Sequence, residues 1–312
     1  MKQTKQSNGL RHLRNDEINF IKWDNCINNA HNGSIYAFSW YLDIICEEWE
    51  AIVQEDYQAV MPLLIKKKSG IKHVYNTILA NQLGVFSTDI MDEEMTNSFL
   101  RKVNQTYKVF SVSLNKFNRI NPRLFRQKKN NIYEFDLISN YNFIRGSYSD
   151  TVFDNIEKAK RKMVNILRGL TPGEFMDFID YRSVMISGRR KKETVKKLGQ
   201  ILGFVINHGL GDIYAAFSEE NHLCAAVFFL KSKRKASVLY SGVTREGIRL
   251  KAMELLIDRF IQNNAEKNIT LSFENLVVPD REKFFSGFGA GNYYFTTVKS
   301  PVNPLRIRKR WS

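Results

Sequence analysis

The sequence is poor in cysteine, in clustered metal ligands and in long apolar runs, and each shortage excludes something. Three cysteines, Cys26, Cys46 and Cys224, stand at wide spacings among 312 residues. An odd number with no Cys-x-x-Cys pair supplies no disulfide framework and no zinc spacing. Five histidines are scattered with none in a His-x-x-x-His pair, so no dedicated metal site is expected. The longest unbroken apolar run, Leu223 to Leu230, has eight residues, against about 20 for a spanning helix. It holds Cys224, which reads as a small core residue. Met1 to Arg14 are polar and basic without an apolar h-region. Nothing there reads as a secretory signal, and a cytoplasmic protein is the default expectation.

What the chain does have is an ordinary globular balance, 43% hydrophobic and 25% charged. At this length one large domain or two of about 150 residues are both open. The charge departs from the ordinary: 47 Lys and Arg against 32 Asp and Glu leave +15. Such an excess suits anionic partners, whether nucleic acid, phosphorylated cofactors or an anionic membrane surface, and does not choose among them.

Periodicity lays out the elements. Helices are expected over 16–30, 37–46 and 92–105, with strands at 49–54, 58–65, 72–79, 107–114 and 132–138. In the second half, Ile156, Ala159, Met163, Ile166 and Leu167 recur at helical spacing up to Gly169. Thr171-Pro172-Gly173-Glu174 reads as a capping box with proline at the first helical position. A further helix carries Val195, Leu198, Ile201, Leu202 and Val205. Three antiparallel strands follow over 212–218, 222–231 and 235–241. Then come an amphipathic helix through Leu255 and Phe260, a strand at 269–273, a short helix at 280–286 and a last strand at 292–299. Glu55 and Glu220, Lys66 and Lys231, and Tyr75 and Tyr240 are each 165 positions apart. Two mixed α/β modules of one plan are therefore expected, over 1–145 and 146–312, joined in the polar stretch 139–148.

Helices, an antiparallel meander, strand–helix–strand and helix–strand is the order of the GNAT acyltransferase fold. Two such modules resemble the Fem-type peptidyltransferases and their FemAB-like relatives. Asn81-Gln82-Leu83-Gly84-Val85-Phe86 resembles the Gln-x-Gly segment after the third strand of the first module. Lys158-Ala159-x-Arg161-Lys162 resembles the helix that opens the second. Leu271-Ser272-Phe273-Glu274, with Phe284-Phe285-x-x-Phe288-Gly289-Ala290, resembles the family's ending. The likeness runs over roughly residues 16 to 300. Relatives often carry Gly-Ser after the glutamate, where this chain has Asn275-Leu276.

The resemblance implies an N-acyltransferase or aminoacyltransferase working on an amine acceptor in a cleft between the modules. Acyl-CoA or aminoacyl-tRNA would be the donor, and no metal is implied. The donor's phosphates would sit at the turn after the third meander strand, where unpaired N–H groups and a helix dipole suit anions. That turn offers Ser241, Thr244, Arg245, Gly247, Arg249 and Lys251. Thr244-x-x-Gly247-x-Arg249 keeps the first glycine of the acetyl-CoA pattern and puts arginine in place of its second small residue, which weakens the acetyl-CoA reading. Acyl transfer needs a base and oxyanion donors. Glu274, at a strand's carboxyl end, is the expected base, with a raised pKa if it is buried. Tyr240 is the expected acid for a leaving thiolate or 3′-hydroxyl. Lys158, Arg161 and Lys162 share one helix face and, with Gln82, are the expected substrate contacts.

Two other functions stand beside this one. A GNAT-fold chain that only binds is favoured by Arg249, and a basic RNA-binding protein by the overall charge. The runs Arg189 to Lys192 and Arg306 to Trp311 suit phosphate backbones nonspecifically. The second could equally touch an anionic membrane surface.

Overall fold

A computed structural model describes residues 9–68, 70–186 and 192–300. The basic run at 189–191 and the tail at 306–311 lie outside the described residues. The chain divides into two compact units, Met1–Asn131 with Tyr294–Ser312, and Ile132–Tyr293. The class is mixed α/β, as the pattern predicts. The polar stretch 139–148 lies inside the second unit.

The first unit opens with strand β1 (Leu10–Leu13), a short 3-10 turn (Asn15–Glu17), helix α1 (Phe20–Asn29) and helix α2 (Ser39–Ile45). The single helix expected over 16–30 is thus broken. Asn19 is extended at φ −81° and ψ 97°, and its side chain caps α1 by accepting from the Lys22 amide. Strands β2 (Glu48–Gln54), β3 (Ala59–Lys68) and β4 (Ile71–Val74) form an antiparallel meander, with β1 on the outer edge of β2 and β5 (Phe86–Ser87) beside β3. Helix α3 (Glu93–Thr106) follows, with the Asp92 side chain accepting from the Met95 amide and Glu93 and Glu94 in its positive first turn. Strand β6 (Ser111–Ser113) is shorter than the 107–114 expected, although parallel bridges flank it at Val74–Phe110 and Leu83–Leu114. Strand β7 (Arg126–Asp136) begins in this unit and ends in the second.

The second unit continues with α4 (Tyr141–Gly146) and α5 (Asp150–Arg161). The helix expected to run through Leu167 ends at Arg161, because Met163 takes a left-handed φ of 52° and the Val164 amide donates to the Ala159 carbonyl. Residues Asn165–Arg168 are instead strand β8, paired with β10. Helix α6 (Pro172–Asp177) keeps the expected box: Thr171 accepts from the Glu174 amide while Glu174 accepts from the Thr171 amide. Strand β9 (Met185–Ile186), helix α7 (Lys192–Asn207) and strands β10 (Gly211–Phe217), β11 (Leu223–Lys231) and β12 (Lys235–Val243) follow. Strand β11 is the eight-residue apolar run. It lies between β10 and β12, buried on both faces, which is why it reads as continuous rather than alternating. Helices α8 (Arg245–Leu250) and α9 (Ala252–Asn264), strand β13 (Thr270–Ser272), helix α10 (Arg281–Gly287) and strand β14 (Gly291–Lys299) complete the order. In this unit the strand order is β8-β10-β11-β12-β13-β7, with β9 along β12. Strands β12 and β13 are parallel.

Both units therefore set an antiparallel meander before a helix and a parallel contact. Glu55 and Glu220 stand in equivalent turns, with Tyr75 just past β4 and Tyr240 inside β12. No described helix is long and apolar enough to cross a membrane.

A buried carboxylate ties the first unit together. Glu50 on β2 is 2% exposed and accepts from Tyr107 and Lys72, and its Oε2 is 2.6 Å from His12 Nε2. Burial pushes its pKa up, but the bonds from His12, Lys72 and Tyr107 outweigh burial and hold it at about 2. A folded pKa below the unfolded value near 4.5 gives stability that is present above the unfolded pKa and lost as pH falls toward 2. Glu50→Gln should therefore remove part of the acid-side slope of unfolding free energy between about pH 4.5 and 2, measured by urea titration at several pH values. An unchanged slope would mean that the carboxylate contributes no such linkage.

Candidate functional site

Strands β7, β13 and β12 lie side by side, and a charged cluster spans them. Lys235, the first residue of β12, holds its ammonium 2.9 Å from Glu274 Oε1 and 3.1 Å from Glu134 Oε1. Glu134 is on β7 and Glu274 is two residues past β13. Both carboxylate side chains are 2% exposed, whereas that of Lys235 is 32% exposed. The lysine is thus the part of the cluster that reaches solvent. Burial works against its charge, and the two carboxylates outweigh burial and raise its pKa. Ser272 adds a hydroxyl 3.3 Å from Glu274 Oε1, and Arg281 donates to the Glu274 backbone carbonyl at 3.4 Å.

Next to the cluster, β13 leaves β12. Pairing covers only Lys235–Thr270, Ala236–Leu271 and Ser237–Ser272. Beyond it the chain's own groups take up the edge of β12. Asn275 Nδ2 donates to the Leu239 carbonyl at 3.0 Å, and the Ser241 hydroxyl donates to the Asn275 carbonyl while accepting from the Val277 amide. Gly242 and Val243 pair with β9, and the Val184 amide donates to the Val243 carbonyl. An extended donor arm would have to displace these groups before bonding to that edge. Asn275 is one of the groups that fill the gap.

The expected anion turn is built differently from its expectation. Thr244 caps α8 and its hydroxyl accepts the Gly247 amide at 3.0 Å. Gly247 is buried, and a Cβ there would lie 2.4 Å from the Cys224 carbonyl oxygen, so close packing on β11 already accounts for the glycine. Glu246 adds a carboxylate to the first turn of α8. Arg245 and Arg249 are exposed, and Lys251 takes a left-handed φ of 62° between α8 and α9.

The remaining expected residues fall into two groups. Lys158, Arg161 and Lys162 are exposed at the end of α5, while Ile156 and Ala159 are fully buried. Tyr240 is 1% exposed within β12, opposite Phe228. In the first unit Gln82 is 4% exposed in a loop clasped by asparagines. Asn118 accepts the Val85 amide, and Asn32, Asn115 and Asn118 all donate to the Val85 carbonyl. Gly84 sits at φ +96° with Asn118 Oδ1 where a Cβ would be, so this glycine is required by the turn. The phenylalanines of the last motif are core: Phe273 stacks on Phe285 at 4.9 Å, Phe284 lies edge-on to Phe285, and Phe288 packs on Phe284.

The sequence singles out Glu274, and the structure places Lys235 and Glu134, which the sequence does not single out, beside it. Glu134 alternates with buried Ile132 on one strand face, a period-2 position where a carboxylate is out of place. Lys235 opens a strand after a turn and looks like any turn lysine.

No protein-family model matches the sequence, and no match is found among curated proteins. Solved structures do match. FemX superposes with a TM-score of 0.62 at 10% identity, over 96% of this chain and 99% of that one. A conserved protein of unknown function from Bacteroides thetaiotaomicron gives 0.58 at 10% identity, over 90% and 97%. The C-terminal domain of a candidate lysylphosphatidylglycerol synthetase from Agrobacterium fabrum gives 0.52 at 9% identity, over 93% and 94%.

Removing Lys235 alone should strand two buried carboxylates. Lys235→Met is expected to cost about 3 kcal/mol, the low end for a broken buried pair because the ammonium is partly solvated. Adding Glu274→Gln to it should recover part of that loss in denaturant titrations. Strict additivity of the two substitutions would mean that the groups are not coupled. The fold that carries this cluster is a mixed α/β fold like that of FemX.

Proposed function

We propose that this protein transfers an acyl or aminoacyl group to an amine acceptor at the Lys235–Glu134–Glu274 cluster. The observation that carries the reading is a pair of buried carboxylates converging on an ammonium at the point where two parallel strands part, in a fold shared with FemX along nearly the whole chain. An acceptor ammonium has the chemistry of the Lys235 head group, so carboxylates that hold one suit the other. Glu274 takes the proton from the acceptor, and the freed amine attacks the donor carbonyl. Lys235, turned to the solvent side, donates to the oxyanion. Collapse breaks the bond to the donor's 3′-oxygen or thiol sulfur; the proton on Glu274 goes to that leaving group, and the attacking nitrogen releases its second proton to solvent to leave the neutral amide. Tyr240, enclosed in β12, supports the strand in this scheme rather than meeting substrate.

Aminoacyl-tRNA fits better than acyl-CoA as donor. The edge of β12 is filled by Asn275, Ser241 and β9. Glu246 also stands in the turn where a bare diphosphate would bind. Exposed Arg245, Arg249, Lys158, Arg161 and Lys162 suit a large polyanion, which needs no enclosed pocket.

The test is a melting-temperature panel with aminoacyl-tRNAs, acyl-CoAs and nucleotide-linked sugars, followed by product analysis with an amine acceptor. Linkage gives about 2.7 kcal/mol at a hundred-fold excess over Kd. Aminoacyl-tRNA should stabilise saturably and yield an amide. Steeply salt-dependent tRNA binding without amide formation would contradict the transfer and favour a binding protein.

A further inference from the structure

We infer that Glu220, His222 and Glu246 form a binding site for one divalent transition-metal ion. The three offer one ligand atom each, and these atoms all lie within 4.8 Å of one another. Glu220 and His222 flank Asn221 in the turn between β10 and β11, and Glu246 is in the first turn of α8. Both segments are fixed. The Ser218 amide donates to the His222 carbonyl at 2.9 Å, and the Asn221 amide returns to the Ser218 carbonyl at 3.0 Å. The start of α8 is tied to β11 by the Thr244 amide donating to the Cys224 carbonyl at 2.9 Å. His222 Nδ1 already lies 3.6 Å from Glu246 Oε2, so a cation between them needs only side-chain adjustment.

One imidazole and two carboxylates are a borderline-to-hard donor set, which suits zinc, cobalt, nickel or manganese and leaves coordination positions open. His222 and Glu246 line a pocket of about 470 Å³ together with Arg182 and Arg245. A bound ion would there take water or an anionic group. Competing contacts are Arg249 to Glu246 at 4.0 Å, a surface pair with the arginine 76% exposed and therefore weak, and the hydrogen bonds that Glu220 accepts from its own amide and from Ser218. Cys224, two residues on from His222, is fully buried. The sequence conceals this site because Glu220 and His222 are separated from Glu246 by the whole of β11 and β12. It shares Glu246 and Arg245 with the α8 turn discussed for the donor, but its test needs no transfer activity.

The experiment is calorimetric titration of the tag-free, chelator-treated full chain with zinc, and of the same protein with cobalt by visible absorption. One ion per chain is expected. Loss of outer partners of a metal ligand already costs about 10–100-fold in affinity. His222→Ala, which removes a direct ligand, should therefore weaken binding at least about tenfold. Glu220→Gln should also weaken it, while His208→Ala, just past α7, should not. Unchanged affinity in His222→Ala, or no saturable binding by the wild type, would overturn the site. Far-UV circular dichroism confirms that each variant is folded.

Discussion

Carboxylates buried side by side demand a cation, and in the second unit that demand is met by Lys235. Its ammonium reaches across β13 from β12 toward Glu134 on β7, so one ammonium with two ionic contacts clamps three neighbouring strands. Replacing such a cluster with apolar residues often leaves a protein as stable or more so, so stability alone is a weak reason for it. A cluster that reaches solvent through its lysine, where parallel strands part, has the makings of a working centre instead.

The surroundings are built around that point. Only three residue pairs join β12 to β13. Asn275 and Ser241 then complete the hydrogen bonding of the separated segment. Behind it, Phe273, Phe284, Phe285 and Phe288 form the apolar backing that holds the end of β13 in place. In the first unit the asparagine clasp around Val85 fixes the loop carrying Gln82 by similar means, with side-chain amides doing the work of a sheet neighbour.

Much of the fold was legible because its elements carry strong periodic or capping patterns. The apolar run became the central strand β11, and the Thr171 to Glu174 box opened α6 as read. The 165-residue offset matched two meanders. Where the reading failed, a single residue decided. Met163 in a left-handed conformation ended α5 early, so Ile166 and Leu167, spaced as if helical, became an edge strand. The site was legible only in part. Glu274 follows an aromatic strand and stands out, whereas Glu134 and Lys235 acquire meaning only when β7, β13 and β12 are brought together. Gly247 matched a phosphate-binding pattern, yet its contact with the Cys224 carbonyl explains it without a ligand.

A Lys235–Glu134–Glu274 cluster that performs chemistry, rather than only holding strands, makes amide formation depend on Glu274. The most direct measurement compares Glu274→Gln with wild type, recording amide formation per folded molecule and melting temperature on the same samples. Gln keeps the shape and removes the base, so turnover should fall by roughly 100-fold or more. The fall should far exceed any loss of folded protein. A destabilised variant with normal turnover per folded molecule would contradict the claim and leave the cluster a structural clamp.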